Sequence, residues 1–234
     1  MAVRLSVALC AVLGLLSGCA TGEKATVAPA TVAQTANGPG LPCVGVKAVD
    51  CHNLALDYEE GRGVPQDVRR AAALFEQACM GGDPKSCTNL GILYEQGRGV
   101  PQDARRAAAL YEQSCTAKVA GGCFNLGLAY AKGSGVPRDE PRAATLYEQA
   151  CTGGEASGCL NLGMAYAKGL GRLKDEPRAA TLFEQACTGG VAQACFNLGV
   201  LHQNGLGVPK DMRRAATLLE QACTGGISKA CARK

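Results

Sequence analysis

Residues 87–122 read CTNLGILYEQGRGVPQDARRAAALYEQSCTAKVAGG, and this pattern returns every 36 residues through most of the 234-residue chain. A period of this length is typical of stacked helical modules, so we expect one array in which each unit contacts only its neighbours. Two cysteines eight residues apart mark the register of the units. The pairs are Cys43/Cys51, Cys79/Cys87, Cys115/Cys123, Cys151/Cys159, Cys187/Cys195 and Cys223/Cys231.

The repeat domain is predicted to occupy residues 43–234. When the copies are aligned on their cysteines, five full units follow a short lead-in and precede a truncated terminal helix. Unit four differs from the others in its loop, where Arg172-Leu173 stands in place of Val-Pro. The units cover approximately residues 51–86, 87–122, 123–158, 159–194 and 195–230.

Each unit is predicted to form two helices, which we call helix A and helix B. In unit two, Leu90, Leu93 and Tyr94 follow the i, i+3, i+4 spacing of one helical face and predict helix A. Two glycines and a proline in residues 97–101 end this helix, and Asp103 is placed to cap helix B. The equivalent caps in the other units are Asp67, Asp139, Asp175 and Asp211.

Glycines are predicted to have two roles in unit two. Gly91 lies inside helix A, where glycine lowers helix propensity, so we expect it to let a neighbouring helix approach closely. The pair Gly121-Gly122 is expected to close the unit. The equivalents of Gly91 are Gly127, Gly163 and Gly199, whereas unit one carries Ala55.

Residues 1–18 are predicted to be a signal peptide. A single positive charge, Arg4, precedes an apolar run that is too short to cross a bilayer as a mature helix. Residues 16–19, LSGC, resemble the lipobox of bacterial lipoproteins, which implies cleavage before Cys19 and a lipid on its sulfur; ordinary secretion is the alternative. Residues 19–42, rich in Ala, Thr, Gly and Pro, are predicted to be a flexible tether.

Export places a chain in an oxidising compartment, where evenly spaced cysteine pairs predict disulfides rather than metal ligands. Zinc sites need more closely spaced cysteines or histidine partners, and the chain has only His52 and His202. No metal and no cofactor are therefore predicted.

Two disulfide schemes are compatible with antiparallel helix pairs. Bonds such as Cys51–Cys79 would lie within units, whereas bonds such as Cys79–Cys87 would join successive units. The first scheme leaves Cys43 and Cys231 without a partner, and the second uses all twelve cysteines of the array. We therefore favour the second scheme, in which each bond links helix B of one unit to helix A of the next.

The unit resembles the Sel-one-like repeat, a relative of the tetratricopeptide repeat, in three motifs. Helix A carries Asn-Leu-Gly-x-x-Tyr, the loop carries Gly-x-Gly-Val-x-x-Asp, and helix B carries Ala-Ala-x-Leu-Tyr-Glu-Gln-Ala. With the C-x7-C pairs, residues 43–234 are similar to the Helicobacter cysteine-rich protein family. The resemblance implies an all-α fold, a right-handed α/α solenoid of five helix pairs stapled by disulfides around a concave groove.

The same resemblance implies an alternative function, because members of that family have been named penicillin-binding proteins or β-lactamases. The sequence contains no S-x-x-K, S-D-N or K-T-G motif. Ser114 and Lys118 are separated by one residue too many for the first of these. We therefore predict no catalytic residue, and β-lactam or peptidoglycan binding, with or without hydrolysis, is the alternative.

Two columns of polar residues are candidates for the groove. The helix A asparagine resembles the asparagine ladder of some tetratricopeptide proteins, because a carboxamide can both donate to and accept from an extended peptide backbone; a bond to the adjacent helix is the other possibility. The helix B arginine, three residues after each cap, can bind an anion or pair with a glutamate of a neighbouring repeat. The asparagines are Asn53, Asn89, Asn125, Asn161 and Asn197, the arginines are Arg70, Arg106, Arg142, Arg178 and Arg214, and the glutamates are Glu76, Glu112, Glu148, Glu184 and Glu220.

A third column contains the aromatic residues of helix A. We expect their rings to pack in the core, with His202 substituting for a tyrosine in unit five. No partner for His52 can be identified from the sequence. The tyrosines of the column are Tyr58, Tyr94, Tyr130 and Tyr166.

Composition agrees with an adaptor. A formal net charge of +4 is too small for a typical nucleic-acid-binding protein, and the chain has no tryptophan for a stacking platform. The predicted function is an exported scaffold of the bacterial cell envelope that binds a peptide or protein segment in its groove. Membrane contact is expected only through the lipid on Cys19, and Ala20 after it implies the periplasmic face of the outer membrane.

Overall fold

The computed structural model describes Cys43, Gly45 and residues 47–232. The predicted signal peptide (1–18) and the whole of the predicted tether (19–42), with Cys19, lie outside the described residues and stay predictions. The described residues form eleven helices and no strand. The helices are α1 (Ala48–Glu60), α2 (Val68–Met80), α3 (Pro84–Gln96), α4 (Ala104–Thr116), α5 (Ala120–Lys132), α6 (Glu140–Thr152), α7 (Ala156–Lys168), α8 (Glu176–Thr188), α9 (Ala192–Asn204), α10 (Met212–Thr224) and α11 (Ser228–Cys231).

Consecutive helices form the predicted pairs: α1 with α2, α3 with α4, and so on to α9 with α10. Each helix B also packs on helix A of the next unit, so the pairs stack in chain order. The prediction of an all-α array of five helix pairs and a truncated final helix is confirmed. Among the residues that the structure describes, no helix has the length and apolar character that crossing a membrane requires.

The helix B caps lie where the sequence placed them. In all five units the aspartate carboxylate accepts the backbone N–H of the residue three positions later, as Asp103 does from Arg106 at 3.0 Å. Such a bond satisfies one of the unpaired N–H groups of a first helical turn. In unit five, the N–H of Arg214 is the main cause that lowers the pKa of Asp211 below its ordinary value.

The glycines inside helix A make room for a side chain of helix B in the same unit. A Cβ on Gly127 would lie 2.7 Å from the ring of Tyr147, and one on Gly91 would lie 2.5 Å from the ring of Tyr111. These distances are too short for real contacts. The predicted close approach is therefore present, and it is a ring of the partner helix that fills the space.

The turn that closes unit two differs from the prediction. Gly121 and Gly122 do not lie in this turn, because α5 begins at Ala120 and contains both of them. The turn is formed instead by Ala117 and Lys118, and Lys118 has a left-handed backbone with φ 62°. The equivalent position in the other four turns is occupied by a glycine with positive φ, namely Gly82, Gly154, Gly190 and Gly226.

Candidate functional site

Six disulfides occur among the described residues, and all of them link cysteines eight residues apart. Five connect helix B of one unit to helix A of the next, and the sixth joins the lead-in to α1. The predicted pairing between units is confirmed, and the number of bonds indicates an oxidising, extracytoplasmic environment. The bonds are Cys43–Cys51, Cys79–Cys87, Cys115–Cys123, Cys151–Cys159, Cys187–Cys195 and Cys223–Cys231.

A cleft lies between successive B helices, beside the disulfide. The cavity between α4 and α6 has a volume of about 610 Å³, that between α8 and α10 about 530 Å³, and that between α6 and α8 about 250 Å³. Largely the same positions of the repeat line all three, so the cleft is a repeated feature of the array. In the first cavity the polar lining includes Glu112, Lys118, Arg142, Gln149 and Thr152.

The cysteines differ in their relation to these clefts. Cys123 and Cys195, at the start of helix A, line the two larger cavities. Their equivalent Cys159 does not line the smaller cavity between α6 and α8, although its partner Cys151 does. Cys159 is buried, and its sulfur is bonded to that of Cys151. Its role is therefore the predicted one, a covalent link between α6 and α7, and it is not part of the cleft.

In units two and three, the arginine of the helix B column connects three elements. In unit three, the backbone N–H of Arg142 donates to its cap, and its guanidinium lies 4.4 Å from the centre of the Tyr130 ring on helix A. The same guanidinium donates to Glu112 of the preceding helix B at 3.1 Å. Arg106 and Arg214 make the equivalent bonds to Glu76 and Glu184, at 2.6 and 2.5 Å.

The first and fourth arginines are exceptions. Arg70 in unit one has no preceding B helix within the described residues; it stacks on Tyr58 and donates to its hydroxyl at 3.0 Å. Arg178 in unit four stacks on Tyr166 at 5.2 Å, but Glu148 accepts from Arg172 instead. Three of the five arginines therefore pair with a glutamate of the neighbouring repeat, which was the predicted alternative to anion binding.

A glutamine of helix B lies against each disulfide between two full units. Its carboxamide oxygen is 3.3 Å from the sulfur of the preceding Cys115 in the case of Gln149, and 3.6 Å from that of Cys151 in the case of Gln185. Sequence reasoning missed this column, although its 36-residue recurrence was visible. The remaining members are Gln113 and Gln221.

The asparagine column lies on a different side of helix A from the cleft. In α5, Cys123 and Leu126 line the cavity. At about 100° per residue, Asn125 points about 160° away from the first and about 100° away from the second. None of the three cavities described above is lined by an asparagine of the column. The two candidate columns therefore do not share a cleft.

The asparagines themselves are partly or fully accessible. Asn53 is exposed, and the other four are partly buried. Asn197 accepts a hydrogen bond from Gln193 of its own helix at 3.1 Å. Asn161 hydrogen-bonds the hydroxyl of Tyr147 on the preceding helix B, which lowers the pKa of that tyrosine, but burial dominates and raises it to about 12. At least one carboxamide thus makes the inter-helix bond that was the alternative to peptide binding.

A column of aliphatic side chains lies beside the asparagines, and it was not predicted from the sequence. Each member follows its asparagine by three residues, so it lies on the same face of helix A. All five side chains are partly exposed, although residues of this size and type are usually buried. The members are Leu56, Ile92, Leu128, Met164 and Val200. We call the asparagine and aliphatic columns together the A-face.

The aromatic column is part of the core. Tyr58, Tyr94, Tyr130 and Tyr166 are all buried, as expected. His202 is only partly buried, and its Nδ1 lies 3.3 Å from the carbonyl oxygen of Pro209. The histidine therefore occupies the position of the tyrosine in the repeat but is less buried than the tyrosines.

His52 has partners that the sequence did not reveal. Its Nδ1 lies 2.8 Å from Oγ of Ser86 and 3.0 Å from Oδ2 of Asp83, and Ser86 donates to the same carboxylate oxygen at 2.5 Å. A nucleophilic triad uses both histidine nitrogens, one toward the serine and one toward the acid. Here a single nitrogen faces both, and Ser86 is completely buried. The cluster caps α3 and holds it against α1.

The β-lactam alternative finds no support in the structure. Ser114, whose spacing to Lys118 was considered for a catalytic motif, is completely buried and donates to the carbonyl oxygen of Pro84 at 2.7 Å. Within residues 47–232 no three His, Cys, Asp or Glu side chains form a group that could hold a metal ion.

The family model named Sel1 repeat matches five consecutive segments of the chain. These segments begin three residues earlier than the units defined from the cysteines, so each one starts at a helix A. They cover residues 48–83, 84–119, 120–155, 156–191 and 192–227.

Solved structures similar to this chain come from several bacteria. A protective antigen of uropathogenic Escherichia coli with this repeat fold is 28% identical, with a TM-score of 0.76 over 81% of this chain, and the chain spans only 40% of that protein. A Sel1 repeat protein of Oxalobacter formigenes is 23% identical, with a TM-score of 0.74 over 78% of this chain and 73% of its own. Cysteine-rich protein B of Helicobacter pylori is 27% identical, with a TM-score of 0.47 over 57% of this chain and 96% of its own.

None of the curated proteins matches the chain. The assignment depends on the five matched repeats, which cover most of the sequence and coincide with the five helix pairs. Repeat arrays of this kind typically serve protein–protein interaction and offer extended binding surfaces. The chain belongs to the Sel1 repeat family.

Proposed function

We propose that the protein is an exported scaffold that binds an extended segment of a partner polypeptide along its A-face. The observation that carries the proposal is the pairing, in five successive units, of a carboxamide with a partly exposed aliphatic side chain. Carboxamides match the donors and acceptors of a peptide backbone, and the aliphatic side chains offer apolar contact. Because the column is repeated in every unit, it suits an extended partner segment that runs along the array.

The site of partner binding can be tested by photo-crosslinking. A benzophenone amino acid would replace Leu128 on the A-face or, as a control, Ala109, which is exposed on helix B. Each purified, oxidised variant is irradiated with cell-envelope extract of the producing bacterium. We expect defined crosslinked polypeptides from position 128 and none from position 109.

The role of the asparagines is tested in the same experiment with Asn53, Asn89 and Asn125 changed together to Ala, which leaves the bond between Asn161 and Tyr147 in place. We expect the crosslinks from position 128 to disappear while the circular dichroism spectrum and melting temperature stay close to those of the parent. Crosslinks of equal yield from this variant, or from positions 128 and 109 alike, would contradict binding on the A-face.

Export and anchoring are the second part of the proposal. The lipobox resemblance at residues 16–19 and the six disulfides support an envelope lipoprotein tethered through Cys19. Metabolic labelling with an alkyne fatty acid is expected to mark the wild-type protein and not the Cys19→Ala variant. A labelled Cys19→Ala protein would exclude this anchor.

A further inference from the structure

The ladder of arginine–glutamate pairs is interrupted in unit four. In the other pairs the glutamate of one B helix accepts from the arginine thirty residues later, as Glu112 accepts from Arg142 and Glu184 from Arg214. Glu148, which should accept from Arg178, instead accepts from Arg172 at 2.7 Å. Arg172 is the residue of the unusual loop. At its position the other units carry Val64, Val100, Val136 and Val208.

Arg178 is left without a carboxylate. Its guanidinium stacks on Tyr166, and its side chain makes no ion pair or hydrogen bond with any residue in the described range 47–232. It lines the cavity of about 250 Å³ between α6 and α8. Arg106, Arg142 and Arg214, the equivalents that follow another unit, are all paired.

The charge of this cleft differs from that of the cleft between α8 and α10, where Glu184 and Arg214 balance each other. Here Glu148 faces both Arg172 and Arg178, while the cleft between α4 and α6 has Lys118 beside its Glu112–Arg142 pair. The cleft in unit four therefore carries one uncompensated positive charge. The Nε atom of Arg172 is also buried and has no hydrogen-bond partner within the described residues, whereas its Nη2 atom donates to Glu148.

We propose that the cleft between α6 and α8 binds the acidic side chain of a partner polypeptide through Arg178. The planar guanidinium is already held in one orientation by Tyr166 and presents two N–H groups to a carboxylate. Thr181 and Gln185 add polar atoms to the lining, and Leu162 and Leu182 offer apolar contact to the methylene groups of a glutamate. A positive cleft of this size complements an aspartate or glutamate side chain.

The proposal does not depend on the A-face. The cleft lies on the side of the array that carries the disulfides, and its binding is measured with a defined probe and the purified domain. Either proposal can therefore fail while the other stands.

The test is an NMR titration of the arginine Nε–Hε signals in the oxidised protein. The probes are the peptide Ac-Gly-Glu-Gly-NH2, its glutamine counterpart and acetate. We expect the glutamate peptide to shift the Arg178 signal saturably, and expect the glutamine peptide and equimolar acetate to have much smaller effects. Arg178→Gln should weaken binding about tenfold or more, as measured on neighbouring signals, because a charge-assisted pair is lost.

The decisive variant is Arg172→Val, which restores the residue of the other units and leaves Arg178 in place. Glu148 is then free to pair with Arg178, so we expect the peptide response to disappear while the fold is retained. Arg142→Gln removes a paired arginine in another cleft and should leave the response to the glutamate peptide unchanged. Unchanged binding by Arg172→Val, an equal response to the glutamine peptide, or acetate bound as tightly as the peptide would overturn the proposal.

Discussion

At the scale of single residues, the arginine column shows how one side chain joins three elements. Stacking of a guanidinium on a tyrosine contributes about 0.5–1 kcal/mol at an exposed site, and an exposed ion pair about 0–1 kcal/mol. Because the side chains of Arg142 and Glu112 are 51% and 57% exposed, the pair alone is a weak source of stability. These contacts contribute to the stability of the array because they are repeated in several units.

Gly127 is expected to be intolerant of a Cβ. Gly127→Ala should lower the free energy of unfolding by about 1–3 kcal/mol, because the new methyl group overlaps the buried ring of Tyr147. Chemical denaturation followed by circular dichroism measures the change. Gly121→Ala is the control, since a Cβ there meets no atom within 4 Å, and it should be neutral or raise stability by up to about 1 kcal/mol. Equal losses would contradict the packing role.

Lys118 is expected to destabilise the turn between α4 and α5 relative to a glycine at the same position. Its left-handed backbone is unfavourable for a residue with a side chain, and the equivalent turns use glycine. Lys118→Gly should therefore raise the free energy of unfolding by about 1 kcal/mol. Ala109→Gly, at an exposed position in the middle of α4, is the control and should lower it by about the same amount. A loss of stability in the Lys118 variant would show that its turn is not strained.

At the scale of elements, the helix pairs follow from local signals. The caps at Asp67 and its equivalents begin each helix B, and glycines end each helix A, so the helix bounds were predictable to within a few residues. The turn after α4 was not, because the glycine pair occurs four residues late in the sequence. Helical packing overrode the turn propensity of that pair, and Lys118 took the left-handed position.

The disulfide between α4 and α5 is expected to hold two units together. Changing Cys115 and Cys123 to Ala should lower the free energy of unfolding by about 2.5 kcal/mol, the loop-closure value for so short a ring. The matched control is Cys223 and Cys231 to Ala, which opens a ring of the same length. Because the four-residue α11 can detach alone, the loss there is limited to the free energy of docking α11 and should be smaller. Guanidinium denaturation under oxidising conditions measures both. An equal loss at the end of the array would mean that the bond acts locally rather than between units.

At the scale of the whole molecule, an array whose units contact only their neighbours is expected to open from its ends. Hydrogen exchange measured by mass spectrometry should be slowest in α5 to α8 and faster toward α1 and α11. Reduction of the disulfides should speed exchange throughout and widen this difference, because neighbouring units are then held by packing alone. Uniform protection before and after reduction would indicate a single cooperative unit instead.

The amino-acid sequence by itself determined the period, the helix pairs, the caps and the pairing of the cysteines. All of these depend on residues close together in the chain, where propensity and short ring closure decide the outcome. Only the tertiary structure decided that the asparagines and arginines face different sides, that the arginines stack on tyrosines, and that Arg172 takes Glu148 from Arg178. These contacts join side chains of different helices and units, and their partners depend on how each pair packs on the next, which periodicity does not specify.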